Sequence, residues 1–248
     1  MVCLHGFVDT WRTWELVLPA LEARHDVFAP TLAGHAGGPP LGEINEGSLA
    51  DAVERQMDEA GIETAHLVGC SLGGFLALKL AARGRAKSVV AFAPAGGWAP
   101  GDESFRDTLA FFTTMQDLLL AAVPHAEAIL STPEGRRRAT EFATVNYEHI
   151  PADLLAHQMR GAAGCTAAAP LIEYAETAGW ELDAEKITCP VRVVWGTADR
   201  ILPWPVAAAR FRNEWLPLAD WVVLDNVGHA PQMDIPLEAA RLILDFTS

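Results

Sequence analysis

The sequence predicts an α/β fold: a mostly parallel, doubly wound sheet with a helical insertion after a strand at 87–93. Three observations predict it. Short apolar runs alternate with amphipathic stretches of helix length, a pattern that implies parallel strands joined by right-handed crossovers and covered on both faces. One such run, 65–68, leads through Gly69-Cys70-Ser71-Leu72-Gly73 into an Ala- and Leu-rich stretch at 75–83, which reads as strand, sharp turn and helix. The alternation then lapses after Trp98 and resumes with a strand-like run at 190–195. The chain therefore divides into a core, 1–97 and 187–248, and a helical insertion, 98–186.

In chain order, 1–4 is a stub of apolar strand that runs straight into His5-Gly6-Phe7. Residues 10–24 carry Trp11, Trp14, Leu18 and Leu21 at helical spacing, with Asp9 or Thr10 as cap and Pro19 at a kink or break. A strand is expected at 25–29, followed by a loop whose composition is set by Gly34-His35-Ala36-Gly37-Gly38-Pro39-Pro40. Residues 48–60 place Leu49, Val53 and Met57 on one helix face and end at Gly61. The elbow strand, its helix and the strand at 87–93 follow. Helices are expected within the insertion near 104–123, 133–144, 151–162 and 167–178. The strand at 190–195, a helix at 205–215, a strand at 221–224 and a helix at 236–246 complete the pattern.

The chain has 248 residues, half of them hydrophobic, enough for a sizeable core. No apolar run approaches the ~20 residues of a membrane span, and no basic segment precedes an apolar one as in a secretory leader. A net charge of −14 argues against nucleic acid and anionic membrane as partners, since both reward Lys and Arg. Cys3, Cys70, Cys165 and Cys189 show no metal-ligand spacing. Free buried thiols in a reducing cytoplasm are the simplest expectation, with a Cys165–Cys189 disulfide left open.

Gly69-Cys70-Ser71-Leu72-Gly73 is G-x-S-x-G, and its strand–turn–helix context is that of a nucleophile elbow. Side chains at Gly69 and Gly73 would collide with the strand and helix they join. Cys70 is a rival nucleophile, but Val68 and Leu72 stand where its flanking glycines would have to be. A serine needs a base, and the base an orienting acid. Asp199 and His229 each follow a predicted strand, so both sit at the same sheet edge as Ser71, where open α/β sheets build their sites. Asp225, close to His229 in sequence, is a rival acid without its own loop. His35 is the one other histidine whose loop approaches this edge. The oxyanion donors are expected to be the backbone N–H groups of Leu72 and Phe7.

With these pieces assembled, the chain resembles the α/β-hydrolase superfamily, in the branch with a helical cap. The resemblance rests on His5-Gly6-Phe7 with Trp14 downstream, Gly34-His35, Gly69-Cys70-Ser71-Leu72-Gly73-Gly74, the loop 196–203 carrying Asp199, and Gly228-His229-Ala230-Pro231. It implies a cytoplasmic serine esterase that needs no metal or cofactor and acts on small to medium carboxylic esters or lactones. His5, Gly6, Trp98, Phe111, Phe112 and Met115 are candidates for the substrate pocket beneath the cap. Serine at position 71 departs from the haloalkane-dehalogenase and epoxide-hydrolase patterns, which use aspartate there. Ala230 after His229 departs from the carbon–carbon bond hydrolases, which usually carry Trp. Carbon–carbon hydrolysis, perhydrolysis and a low-turnover ligand receptor remain as alternatives. The family's N-terminal antiparallel hairpin is missing from this sequence. That leaves about six parallel strands, with 25–29 as an exposed edge that a second copy would cover in a homodimer. A truncated or misplaced start is the other account.

Overall fold

The computed structural model describes residues 1–45 and 47–247. Among these residues five strands form one sheet: β1 (Val2–Leu4), β2 (Ala65–Cys70), β3 (Ala86–Phe92), β4 (Val191–Gly196) and β5 (Asp220–Leu224). They lie in that spatial order and every neighbouring pair is parallel. The strand expected at 25–29 is reduced to a single bridge, Phe28 to Val2. Phe28 N–H donates to Met1 O and Cys3 N–H to Phe28 O, both at 2.9 Å. Pro30, two residues on, has no N–H with which to extend the ladder.

This bridge makes the topology informative. From β1 the chain steps outward to Phe28, then crosses back to enter β2 on the other side of β1. The direction of winding reverses between β1 and β2, and in such sheets the crevice at the strands' carboxyl ends is where ligands bind. The loops leaving β1 and β2 are those of His5-Gly6-Phe7 and Ser71.

Successive strand residues face opposite sides, so the sheet has two apolar layers. Leu4, Leu67, Ala91, Val193 and Trp195 pack under α2 (Ser48–Glu59) and α3 (Leu72–Ala82). Cys3, Val68, Val90, Phe92 and Val194 pack under Trp14, Leu21 and α9 (Pro236–Thr247). The stretch 10–24 is two short pieces rather than one helix. A 3-10 turn, Trp11–Trp14, is capped by Thr10, and α1 (Leu18–Glu22) begins at the break with Pro19 in its first turn. The helix expected at 205–215 is likewise a 3-10 turn, Val206–Ala208, and a π turn, Phe211–Trp215.

Between β3 and β4 lie only helices: α4 (Phe105–Ala122), α5 (Ala126–Leu130), α6 (Pro133–Thr140), α7 (Ala152–Ala163) and α8 (Ala168–Ala178). Leu130, Ile150, Leu154 and Leu155 form a separate cluster that includes Ala230 and Met233 of the core. The insertion thus packs directly on the loop carrying His229. No described helix is long and apolar enough to cross a membrane. All four cysteines are free, so the Cys165–Cys189 bridge left open by the spacing is not formed.

Candidate active site

Among the described residues, four other than glycine have positive φ: Val8 (52°), Ser71 (56°), Ala93 (38°) and Asn226 (55°). Each follows the carboxyl end of a strand, and such backbone is strained for residues with a Cβ. Ser71, at ψ −120°, is the turn between β2 and α3. Its N–H donates to Phe92 O at 2.9 Å, and its carbonyl accepts from Phe75 and Ala95 at 3.1 Å, which fixes the strained turn from both sides. The two flanking glycines permit the approach. A Cβ on Gly69 would lie 2.2 Å from Gly73 O, and one on Gly73 would lie 2.2 Å from Leu4 O.

Leu72 opens α3, so its N–H has no helical acceptor. Among the described residues neither Leu72 nor Phe7 donates its backbone N–H within the chain. The turn before Phe7 lies against the serine: a Cβ on Gly6 would be 3.3 Å from Ser71 Cβ. His5 sets the orientation of that turn. Leu32 N–H donates to His5 Nε2 at 2.9 Å, so the ring proton is on Nδ1, which donates to Gly6 O at 2.8 Å. Because the peptide is planar and trans, holding Gly6 O toward His5 turns the Phe7 N–H the opposite way. Burial, with His35 adding to it, pushes the His5 imidazole down to about 3, so the ring stays neutral. His35 lies edge-on to His5 at 5.0 Å and to Phe7 at 6.2 Å, a second buried layer behind the turn.

Asp199 and His229 are both buried, and Asp199 Oδ2 accepts from His229 Nδ1 at 2.7 Å. The other carboxylate oxygen accepts the N–H groups of Ile201 at 2.9 Å and Leu202 at 2.7 Å, which fixes the plane of the acid. Asp225 instead pairs with Thr197 at 3.2 Å on the surface. Cys70 Sγ–H donates to His229 O at 3.6 Å, so the histidine loop lies beside the elbow. Burial raises the Cys70 pKa, which keeps it a thiol. No hydrogen bond joins Ser71 Oγ to the imidazole among the described residues.

Two carboxylates near the site carry no motif in the sequence. Asp234, 1% exposed, accepts from Gly228 N–H (2.6 Å), Val145 N–H (3.1 Å), and both the N–H (2.7 Å) and the side-chain amide (2.9 Å) of Asn146. It fastens the residue before His229 to the insertion. Asp9, partly exposed, accepts from Thr10 N–H at 2.7 Å and Gln158 Nε2 at 3.4 Å. Burial pushes its carboxyl up to about 6, against the lowering effect of Thr10, Thr13, Gln158 and the nearby His229. The folded protein holds this proton more tightly than the unfolded chain. The stabilisation is therefore complete below the ordinary value of 3.8 and lost as pH rises through about 6. Asp9→Asn keeps the acceptor oxygen and removes the charge. Its Tm relative to wild type is expected to rise between pH 4 and pH 7.5, by about 2–4 °C after allowing for partial exposure. A Tm difference that does not change with pH would refute this.

A cavity of about 130 Å³ opens from Ser71 between α3 and the insertion. Phe7, Leu72, Trp98 and Phe112 line it, whereas His5, Gly6, Phe111 and Met115 do not. His5 is fully buried with both nitrogens engaged. The α4 face toward the cavity is Phe105, Thr108, Leu109 and Phe112, at helical spacing. Phe111 falls off that face and packs on Phe142 at 4.8 Å. Met115 lies one turn further along, where Gln116 donates to Ala162 O of α7 and the helix has passed the cavity. No group of three or more His, Cys, Asp or Glu among the described residues is arranged to hold a metal ion.

Comparison with known proteins agrees with this architecture. An epoxide hydrolase of Mycobacterium tuberculosis, EphH, is 36% identical over 199 residues, spanning 80% of this chain and 92% of that protein. A pimeloyl-[acyl-carrier protein] methyl ester esterase of Aromatoleum aromaticum is 29% identical over 263 residues, spanning 99% and 96%. The structure of a meta-cleavage product hydrolase from Pseudomonas fluorescens IP01 superposes with a TM-score of 0.72 at 20% identity, covering 99% of this chain and 89% of that one. The alpha/beta hydrolase family model matches residues 1–242, and the chain belongs to that family.

Proposed function

We propose that this hydrolase cleaves small to medium carboxylic esters or lactones through a Ser71–His229–Asp199 triad and an acyl-enzyme. The observation that carries the reading is the 2.7 Å bond from His229 Nδ1 to a buried, doubly anchored Asp199, on the loop beside the strained Ser71 turn. With its proton on Nδ1, the imidazole has Nε2 as the acceptor for the serine hydroxyl proton. Its bond to Ser71 would tighten when substrate binds, as such contacts commonly do. Ser71 attacks the acyl carbon, His229 takes its proton and passes it to the leaving alcohol, and the N–H groups of Phe7 and Leu72 stabilise the oxyanion. Water activated by His229 releases the acid. The helices of 98–186 act as a lid, held to the histidine loop by Asp234 and roofing a largely apolar pocket.

The epoxide hydrolase relative raises a second chemistry, and the nucleophile argues against it here. A serine that opened an epoxide would become an alkyl ether with no carbonyl for water to attack. A carboxylate would become an ester that water can cleave. The test is turnover of p-nitrophenyl esters of graded length, with styrene oxide alongside, by wild type and Ser71→Ala. Ester kcat is expected to fall at least about a thousandfold in the variant. Equal ester turnover by both proteins, or styrene oxide opening that survives Ser71→Ala, would overturn the reading.

A further inference from the structure

Trp180 stands in the wall of the cavity, about one helical turn from the nucleophile. The lining from α3 is Ser71, Leu72, Phe75, Leu76 and Lys79, one face of the helix and about 12 Å long at 1.5 Å per residue. A volume of about 130 Å³ drawn out over that length is a tube rather than a chamber. A compact apolar cavity of about 150 Å³ is what one benzene ring needs. The tube therefore has width for a single file of methylenes and not for a ring or a branch. Phe75 lies four residues, about 6 Å, beyond Ser71. Trp180 meets its ring edge-on, with centroids 5.0 Å apart. The indole also lies against Gly96, where a Cβ would be 2.6 Å from Trp180 Cε3 and 2.7 Å from Cδ2. Gly96 follows Ala95, whose N–H donates to the Ser71 carbonyl at 3.1 Å. Arg210 Nη1 donates to Trp180 O at 2.8 Å and holds the backbone behind the ring. Between Phe75 and the Gly96 backbone, the indole has no room to retreat from the tube. The far end of the tube is polar but internally matched. Lys79 Nζ donates to Glu181 O at 3.2 Å, the Glu181 carboxylate meets Arg210 at 3.1 Å, and Ser48 Oγ donates to Asn45 O at 3.0 Å.

We infer that Trp180 selects the acyl group by its width, and that the preferred ester carries an unbranched, apolar acyl chain. An extended chain of about eight to ten carbons, with bonds near 1.5 Å, spans the 12 Å of the tube. With the carbonyl at Ser71, the methylenes lie on Phe75 and Leu76, and carbons about 6 Å from the carbonyl pass the indole. A ring or branch at that depth collides with Trp180, whereas a plain methylene chain slides past it. This inference rests on the ester hydrolase reading and adds the shape of the acyl group, and the residue that sets it, to that reading.

The experiment compares p-nitrophenyl octanoate with p-nitrophenyl 3-cyclohexylpropanoate. Both have two methylenes after the carbonyl, and they differ in width from the next carbon on. The quantity read is the ratio of kcat/KM for the octanoate to that for the cyclohexyl ester. In wild type this ratio is expected to be about ten or more. In Trp180→Ala it is expected to fall about tenfold, through a gain on the cyclohexyl ester. Trp180→Phe keeps a smaller ring in the wall, and its ratio should fall about two- to threefold. Because the ratio is internal to each protein, a poorly folded fraction cancels. Octanoate turnover that depends on Ser71, with a wild-type ratio near one or with the same ratio in all three proteins, overturns this inference alone. Turnover of neither ester by wild type overturns it together with the ester reading.

Discussion

Asp199→Asn is expected to lower kcat on p-nitrophenyl esters by about four orders of magnitude while leaving the fold intact. The reason lies in the two ends of the carboxylate. Asp199 Oδ1 accepts two backbone N–H groups, from Ile201 and Leu202, and Oδ2 accepts the His229 Nδ1–H. An asparagine must keep its carbonyl oxygen toward the two backbone donors, because an NH2 group there would face N–H on both sides. Its NH2 is then presented to His229. The imidazole can answer only by moving its proton to Nε2 and accepting at Nδ1. In that tautomer Nε2 is a donor and cannot take the proton of Ser71. Circular dichroism and Tm would show the variant folded, and steady-state kinetics would show the loss in kcat. Asp225→Asn is the control, since Asp225 pairs with Thr197 on the surface, and its effect should stay within about twofold. A loss of less than tenfold in Asp199→Asn would mean that another group orients the histidine.

The parts of this site that are legible in the sequence are those governed by local geometry. G-x-S-x-G is readable because two backbone segments approach within contact at Gly69 and Gly73, and only glycine fits. Asp199 and His229 are readable because a residue just after a parallel strand can only be at one edge of the sheet. The 25–29 strand is overread because apolar β-formers signal extended backbone but not how many rungs a neighbour will pair, and Pro30 removes the donor needed to continue. The pocket is less readable still. Helical spacing shows that α4 has faces, but not which one looks down on Ser71. Phe112 and Phe111 are adjacent in sequence, and the packing of α4 on α7 and α8 sends one into the cavity and the other onto Phe142. Asp9 and Asp234 escape sequence reasoning for a related reason. Their partners Gln158, Val145 and Asn146 are over eighty residues away in the chain, and nothing in a lone aspartate announces a distant amide.

Gly73→Ala is expected to be among the most damaging single-methyl changes in the core, and Gly74→Ala beside it nearly harmless. A Cβ on Gly73 would stand 2.2 Å from Leu4 O and 2.5 Å from His5 O, backbone atoms at the end of β1 that no rotamer change can move. Relief requires α3 to shift away from β1 or β1 to leave the sheet, at a cost of about 4 kcal/mol or more. That corresponds to a fall in Tm of about 10–15 °C for a chain of this size. At Gly74 the nearest atoms are 3.2 Å away, a few tenths of an ångström of adjustment, and alanine regains up to about 1 kcal/mol of helix propensity. The Gly73 variant should also be catalytically poor in whatever fraction folds. The displaced strand end carries His5-Gly6-Phe7, while α3 carries Leu72, so the added methyl forces apart the two N–H groups assigned to the oxyanion. Losing one such donor costs about a hundred- to a thousandfold in kcat. Thermal melts give the first effect, and active-site titration with a p-nitrophenyl ester, normalised to folded protein, gives the second. A folded Gly73→Ala protein with wild-type kcat would show that the β1 turn does not supply an oxyanion donor, leaving Leu72 to act with a group elsewhere in the pocket.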